Sequence, residues 1–259
     1  MADFERYLGI DYSGAQTPAS SLKGLRLYMA GRDASPVEVP PPPGPKKFWT
    51  RQGLAEHLVT NLREGPRTLV GIDHGFSFPL RYFETHHLPP DWDRFLDDFC
   101  EHWPTDDPHT YVDFVRDGLR GRGAEREGRA RWRRHAEERC RAKSVFHFDC
   151  PGSVAKSTHA GLPWLRHLRR ELGDRLHFWP FDGWTPPPDR SVVAEVYPSL
   201  HAKGWPCEDR TQDQQDAWAT ARWLAETDAA GRLPGHFEPF LGMGIKREAE
   251  VEGWILGVA

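Results

Sequence analysis

The sequence predicts an α/β domain built on a mixed β-sheet. Three observations carry that prediction. From Tyr7 to Asp73 the chain shows three strand patterns, a helix pattern and a fourth strand pattern, an order that builds a mixed sheet. Two apolar runs, Tyr7-Leu8-Gly9-Ile10-Asp11 and Leu69-Val70-Gly71-Ile72-Asp73, each end on an aspartate. The chain has 259 residues, 38% of them hydrophobic, enough to bury the core of one large domain.

The first strand ends at Asp11, and Tyr12-Ser13-Gly14 reads as a turn. Leu25 to Ala30 alternates as a second strand should. Val37-Glu38-Val39 makes a short third strand, stopped by Pro40 to Pro43. These three strands form a meander. Thr50 is placed to cap a helix whose Leu54, Leu58 and Leu62 recur every fourth residue, and Gly65-Pro66 ends it. The strand to Asp73 follows at once.

Asp91 to Trp103 has helical apolar spacing in Trp92, Phe95, Phe99 and Trp103. Arg116 to Lys143 holds eleven Lys/Arg against five Asp/Glu, a local charge near +6. Its second half, Ala130 to Lys143, predicts a basic helix. The stretch from about 83 to 143 reads as a helical insertion within a single domain spanning 1–259. Leu162, Leu165, Leu168 and Leu172 mark another helix, stopped by Gly173. Strands follow at Leu176 to Trp179 and at Val192 to Val196. Thr211 then opens a helix, with Gln214 completing a capping box.

Composition narrows the function classes. A net charge of -4 does not advertise a nucleic-acid binder, so such binding must come from a local patch. No apolar run reaches membrane-spanning length, and Met-Ala-Asp-Phe-Glu lacks the basic and apolar regions of a signal peptide, so a cytoplasmic protein is expected. Cys100, Cys140, Cys150 and Cys207 are scattered without a Cys-x-x-Cys, which predicts buried free thiols rather than zinc or disulfides.

The chemistry lies in the acids. Asp11 and Asp73 end strands, and Glu195 interrupts an apolar strand, where a carboxylate is costly unless paired or metal-bound. Asp213 and Asp216 share a face in the first turn of the last long helix. Paired carboxylates repel unless a cation lies between them. Their oxygens suit Mg2+ or Mn2+, and two such ions can hydrolyse a phosphodiester. The ordinary alternatives are a turn aspartate at Asp11 or Asp73, a solvent-facing Glu195, and helix-dipole acids at Asp213 and Asp216. Of the last two, Asp216 is the better ligand. His74 is a candidate for assisting water activation, with Ser77 and Lys156 weaker. Arg116 to Lys143 is either a phosphate-binding surface or a solvated charged helix, and Trp132 hints at base stacking.

The segments Gly9-Ile10-Asp11, Val70 to Pro79, Ala194-Glu195-Val196-Tyr197-Pro198, Asp213-Gln214-Gln215-Asp216-Ala217 and Glu252-Gly253-Trp254-Ile255 occur in one order. Together they resemble the uncharacterised family known as domain of unknown function 429, described as predicted nucleases of the ribonuclease H-like fold. The resemblance runs from Tyr7 to the C-terminus but leaves about 83–143 unmatched. It implies a five-stranded mixed sheet, its first three strands antiparallel, flanked by helices. It also implies divalent-metal binding by Asp11, Asp73 and Asp216, with Glu195 in that family's Glu-Val-Tyr-Pro motif.

The leading expectation is a nuclease with Asp11, Asp73, Glu195 and Asp216 as catalytic metal ligands, Mg2+ or Mn2+ as cofactor, and DNA or RNA held by Arg116 to Lys143. An ATP-binding or phosphotransferase protein of the actin-like fold is the first alternative, though only Tyr12-Ser13-Gly14-Ala15 suggests a phosphate loop. A non-catalytic binding module is the second.

Overall fold

In a computed structural model that describes residues 4–32 and 34–259, the chain opens on a central strand. Met1 to Asp3, which begin the stretch read for a signal peptide, lie outside the described residues. Strand β1 (Arg6–Tyr12) pairs antiparallel with β2 (Leu25–Gly31), and β2 pairs antiparallel with the short β3 (Val37–Glu38). Helix α1 (Arg51–Glu64) starts where the sequence places it. The Thr50 hydroxyl accepts from the Gly53 N–H at 2.9 Å, and Leu54, Leu58 and Leu62 are buried. The helix carries the chain back so that β4 (Thr68–Asp73) lies parallel to β1.

The segment after β4 holds short helices: α2 (Leu80–Thr85), α3 (Trp92–His102), α4 (Val112–Arg116) and α5 (His135–Cys140). Helix α6 (Ala155–Leu172) then leads into β5 (Leu176–Trp179) and β6 (Ser191–Glu195), which are parallel to each other, and β6 is parallel to β4. The chain closes with α7 (Gln212–Ala229), α8 (Leu233–Phe237) and α9 (Met243–Glu252). The sheet order is β3-β2-β1-β4-β6-β5. The described sheet therefore has six strands, matching the six strand patterns in the sequence rather than the five the family resemblance implied.

Strand alternation gives the sheet two buried faces. Leu8, Ile10, Val70, Ile72 and Val193 join the cluster that includes Leu58 of α1 and Leu165 of α6. Leu69, Val192 and Ala194 join Ala217, Ala221 and Leu224 of α7. The two glycines of the Gly-Ile-Asp tips serve that second face. A Cβ on Gly9 would collide with the Ala217 carbonyl oxygen, and one on Gly71 would sit 2.8 Å from Val196 Cγ1. Both glycines are needed for α7 and its neighbours to close on the sheet.

Helix α6 contains Pro163, whose missing N–H leaves the His159 carbonyl without its helical partner. The buried Thr105 hydroxyl donates to that carbonyl at 2.6 Å. The expected basic helix over 130–143 is not formed. Only His135–Cys140 is helical, closed by Arg141 at φ 57°, because Trp132, Arg134 and Glu137 turn into the protein instead of lining a solvated face.

Candidate functional site

Asp11 and Asp73 are register partners on adjacent parallel strands, β1 and β4. Neighbouring strands lie about 4.8 Å apart, and register partners in a parallel pair point to the same face. Each aspartate follows its glycine by two residues, so both carboxylates project on the α7 side, at the C-terminal edge of the sheet. That edge is where open α/β sheets bind ligands.

The two carboxylates differ in their surroundings. Asp11 is 3% exposed and accepts the Ser13 N–H at 2.9 Å, the turn geometry that an ordinary Asp-x-Ser would adopt. Burial pushes its pKa up to about 7; the Ser13 hydrogen bonds hold it down, and Asp213 and Asp216 push it further up. Asp73 is half-buried and accepts no hydrogen bond from the described residues. Burial, then the charges of Asp11, Asp216 and Glu195, raise its pKa well above the carboxylate range.

Helix α7 brings Asp213 and Asp216. Thr211 and Gln214 form the expected capping box, and Gln214 Nε2 donates to Glu38 at 2.8 Å, tying the helix start to β3. Gln212 donates to Asp216 at 2.9 Å. Burial raises the pKa of Asp216, with Asp213 adding to it. Asp213 is raised by burial but eased by Arg26 and Lys23. Asp216 thus reaches both strand-tip carboxylates electrostatically, while Asp213 reaches Asp11.

Glu195 departs from the expectation. Its register partner is Ile72, so alternation places it on the opposite face from Asp11 and Asp73. It is 3% exposed, and the Arg134 guanidinium grips both its oxygens, Nη2 at 2.6 Å and Nη1 at 2.7 Å. The Phe76 N–H adds a bond at 3.1 Å. Arg134 also donates through Nε to Glu137 at 3.0 Å and is itself 1% exposed. Burial opposes its charge, but Glu195 and Glu137 more than offset this, so its pKa moves up. A carboxylate in an apolar strand did need a positive partner; that partner is an arginine. Nothing in the sequence singled out Arg134 among eleven cations.

His74 is not a candidate base. It is 1% exposed, its Nδ1 donates to the Gly75 carbonyl at 2.8 Å, and a Cβ on Gly161 would strike its ring. Burial lowers its pKa to about 4. Ser77 is fully buried, and Lys156 pairs with Asp113 at 2.8 Å. Trp132 is 7% exposed and packs edge-on to Phe146, so it offers no open stacking face. All four cysteines are free, but Cys100, Cys140 and Cys150 are half-buried and Cys207 is exposed, not the buried thiols expected.

The basic stretch divides in two. Arg116, Arg122 and Arg126 are engaged by Asp113, Asp117, Asp149, Glu101, Glu125 and Asp98. Arg129, Arg131, Arg133 and Arg141 are exposed and form no ion pair with the described residues. Lys143 lines a narrow pocket with Asp73, Arg134, Glu195 and Tyr197. At about 20 Å3 it has room for a water, not for a nucleotide.

Asp11, Asp73 and Asp216 supply oxygen donors of the kind a hard divalent cation takes, and their mutual repulsion is what such a cation would relieve. Among the described residues, however, no group of three or more His, Cys, Asp or Glu side chains is placed to hold a metal ion as the side chains stand. Glu195 does not fit as a ligand while Arg134 holds it. No described helix is long and apolar enough to cross a membrane. Comparison with known protein families, curated proteins and solved structures finds no match to this chain.

Proposed function

We propose that the chain is a divalent-metal-dependent phosphodiesterase acting on DNA or RNA, with Asp11, Asp73 and Asp216 as its metal-holding residues. The observation that carries this reading is the in-register placement of Asp11 and Asp73 on one face of neighbouring parallel strands. Asp216 stands close enough to raise the pKa of both. Three crowded carboxylates cost stability in the metal-free protein, a cost that folding alone does not explain. The order of motifs shared with the ribonuclease H-like resemblance points the same way.

A bound Mg2+ or Mn2+ supplies Lewis-acid polarisation of a phosphoryl oxygen and a more acidic water. The chain's own residues provide the rest. The Ser13 N–H fixes the Asp11 carboxylate in place, so it need not be ordered when substrate arrives. Arg129, Arg131, Arg133 and Arg141 present unpaired charge to a phosphate backbone, and Lys143 sits at the rim of the Asp73 pocket. His74 takes no part, being sealed on the other face of the sheet.

The test is a cleavage screen over single-stranded, duplex, hybrid and branched DNA and RNA with Mg2+, Mn2+ or EDTA. Metal-dependent cleavage of at least one substrate, absent in Asp11→Asn, is the expected result. Cleavage retained by Asp11→Asn at the wild-type rate overturns the assignment.

A further inference from the structure

The acidic edge already contains a cation that cannot leave. Glu195 is the fourth acid there, and both of its oxygens are held by the two terminal nitrogens of Arg134, a fork-on-fork pair. Two more of that guanidinium's five N–H donors go to Glu137, at 3.0 Å, and to the Glu252 carbonyl, at 3.3 Å. Every partner is inside the protein, with Arg134 and Glu137 each 1% exposed.

The backbone carrying Arg134 is pinned as well. The Arg134 N–H donates to Glu137 at 3.1 Å, and the next N–H, from His135, donates to Glu252 at 2.9 Å. Glu252 also accepts the Leu80 N–H, at 2.6 Å, so α2, α5 and α9 meet at this one carboxylate. A divalent ion bridging Asp73 to Glu195 would have to displace the guanidinium. Arg134 would then keep only Glu137 and the Glu252 carbonyl, as a charge in a low-dielectric interior with most of its donors unsatisfied. Asp11 and Asp73 lie on the other face and have no such resident cation.

We infer that Arg134 permanently occupies the cation position beside Glu195, so that the edge binds one divalent ion, on the Asp11–Asp73 side, and not two. This rests on the metal reading proposed above. It makes Arg134 a positioning residue and the second positive charge of the site a covalent part of the chain, independent of metal concentration. It also gives the insertion a purpose: the segment that carries Lys143 to the Asp73 pocket is clamped to the sheet through Arg134 and Glu195.

The experiment is a Mn2+ titration of the intact chain by calorimetry, with free Mn2+ counted by electron paramagnetic resonance. One ion per chain is expected for the wild type. Glu195→Gln, which keeps an oxygen for Phe76 and Arg134, should change Mn2+ affinity by less than about threefold, whereas Asp73→Asn should weaken it by about tenfold or more. Two ions on the wild type, or a loss larger than about threefold in Glu195→Gln, overturns the inference while leaving a metal site in place. No Mn2+ binding by the wild type overturns the metal reading itself.

Discussion

Pro163 in the middle of α6 gives a prediction that can be worked from a single hydrogen bond. The ring removes the N–H that would bond the His159 carbonyl, and the Thr105 hydroxyl replaces it at 2.6 Å. Thr105 is fully buried, so no water substitutes if the hydroxyl is lost. Thr105→Val keeps the shape and leaves a buried carbonyl unsatisfied, which costs about 1–3 kcal/mol. Pro163→Ala returns the helical N–H to that carbonyl. In the Pro163→Ala background, Thr105→Val should therefore cost less than about 0.5 kcal/mol, and the difference between backgrounds is the coupling of the two sites. Urea unfolding of the four proteins, followed by tryptophan fluorescence and far-UV circular dichroism, measures it. An equal cost of Thr105→Val in both backgrounds refutes the account of why this helix tolerates its proline.

Two further outcomes follow from burial and charge. His159 sits among Phe78, Phe99, Trp103 and Phe148, and burial lowers its pKa to about 3 from 6.5. The unfolded chain then binds the extra proton, so the stability this neutral ring contributes is complete above 6.5 and is lost as pH falls towards 3. Between pH 7.5 and 5 the wild type should lose about 2 kcal/mol more than His159→Phe in urea titrations, and equal losses would contradict this. Replacing Arg129, Arg131 and Arg133 together by Ala should weaken binding of a single-stranded oligonucleotide in EDTA and lower the slope of log affinity against log salt by about 2–3. The same triple change at Arg116, Arg122 and Arg126 should have the smaller effect on that slope, because acids already neutralise those three.

Much of the sheet was legible because its signals are local. The Gly-Ile-Asp tips, the Leu54-Leu58-Leu62 spacing, and the Thr211–Gln214 capping box each lie within one element, and each element forms where its pattern falls. The side-by-side position of Asp11 and Asp73 was also legible, since α1 connects two apolar runs of like length. Its glycines carried a second meaning that no single strand shows: close approach of α7. Glu195 was misjudged for a related reason. Its cost was evident, but the face it occupies depends on register with β4, and its partner comes from 61 residues away, in a stretch whose charge pattern pointed to a solvated basic helix. The same long-range pull explains why 130–143 is not the helix its charge pattern predicts. Arg134, Glu137 and Trp132 gain more from burial with distant partners than from a solvated helical face.

The central claim is that Asp11 and Asp73 together hold a catalytic divalent ion, and the most direct test compares cleavage by wild type, Asp11→Asn and Asp73→Asn across a Mn2+ titration. The account predicts cleavage that rises with Mn2+ for the wild type and stays at the EDTA background for both variants, with all three showing the same circular dichroism spectrum. Wild-type cleavage in EDTA, or Mn2+-stimulated cleavage by either variant at the wild-type rate, would contradict it.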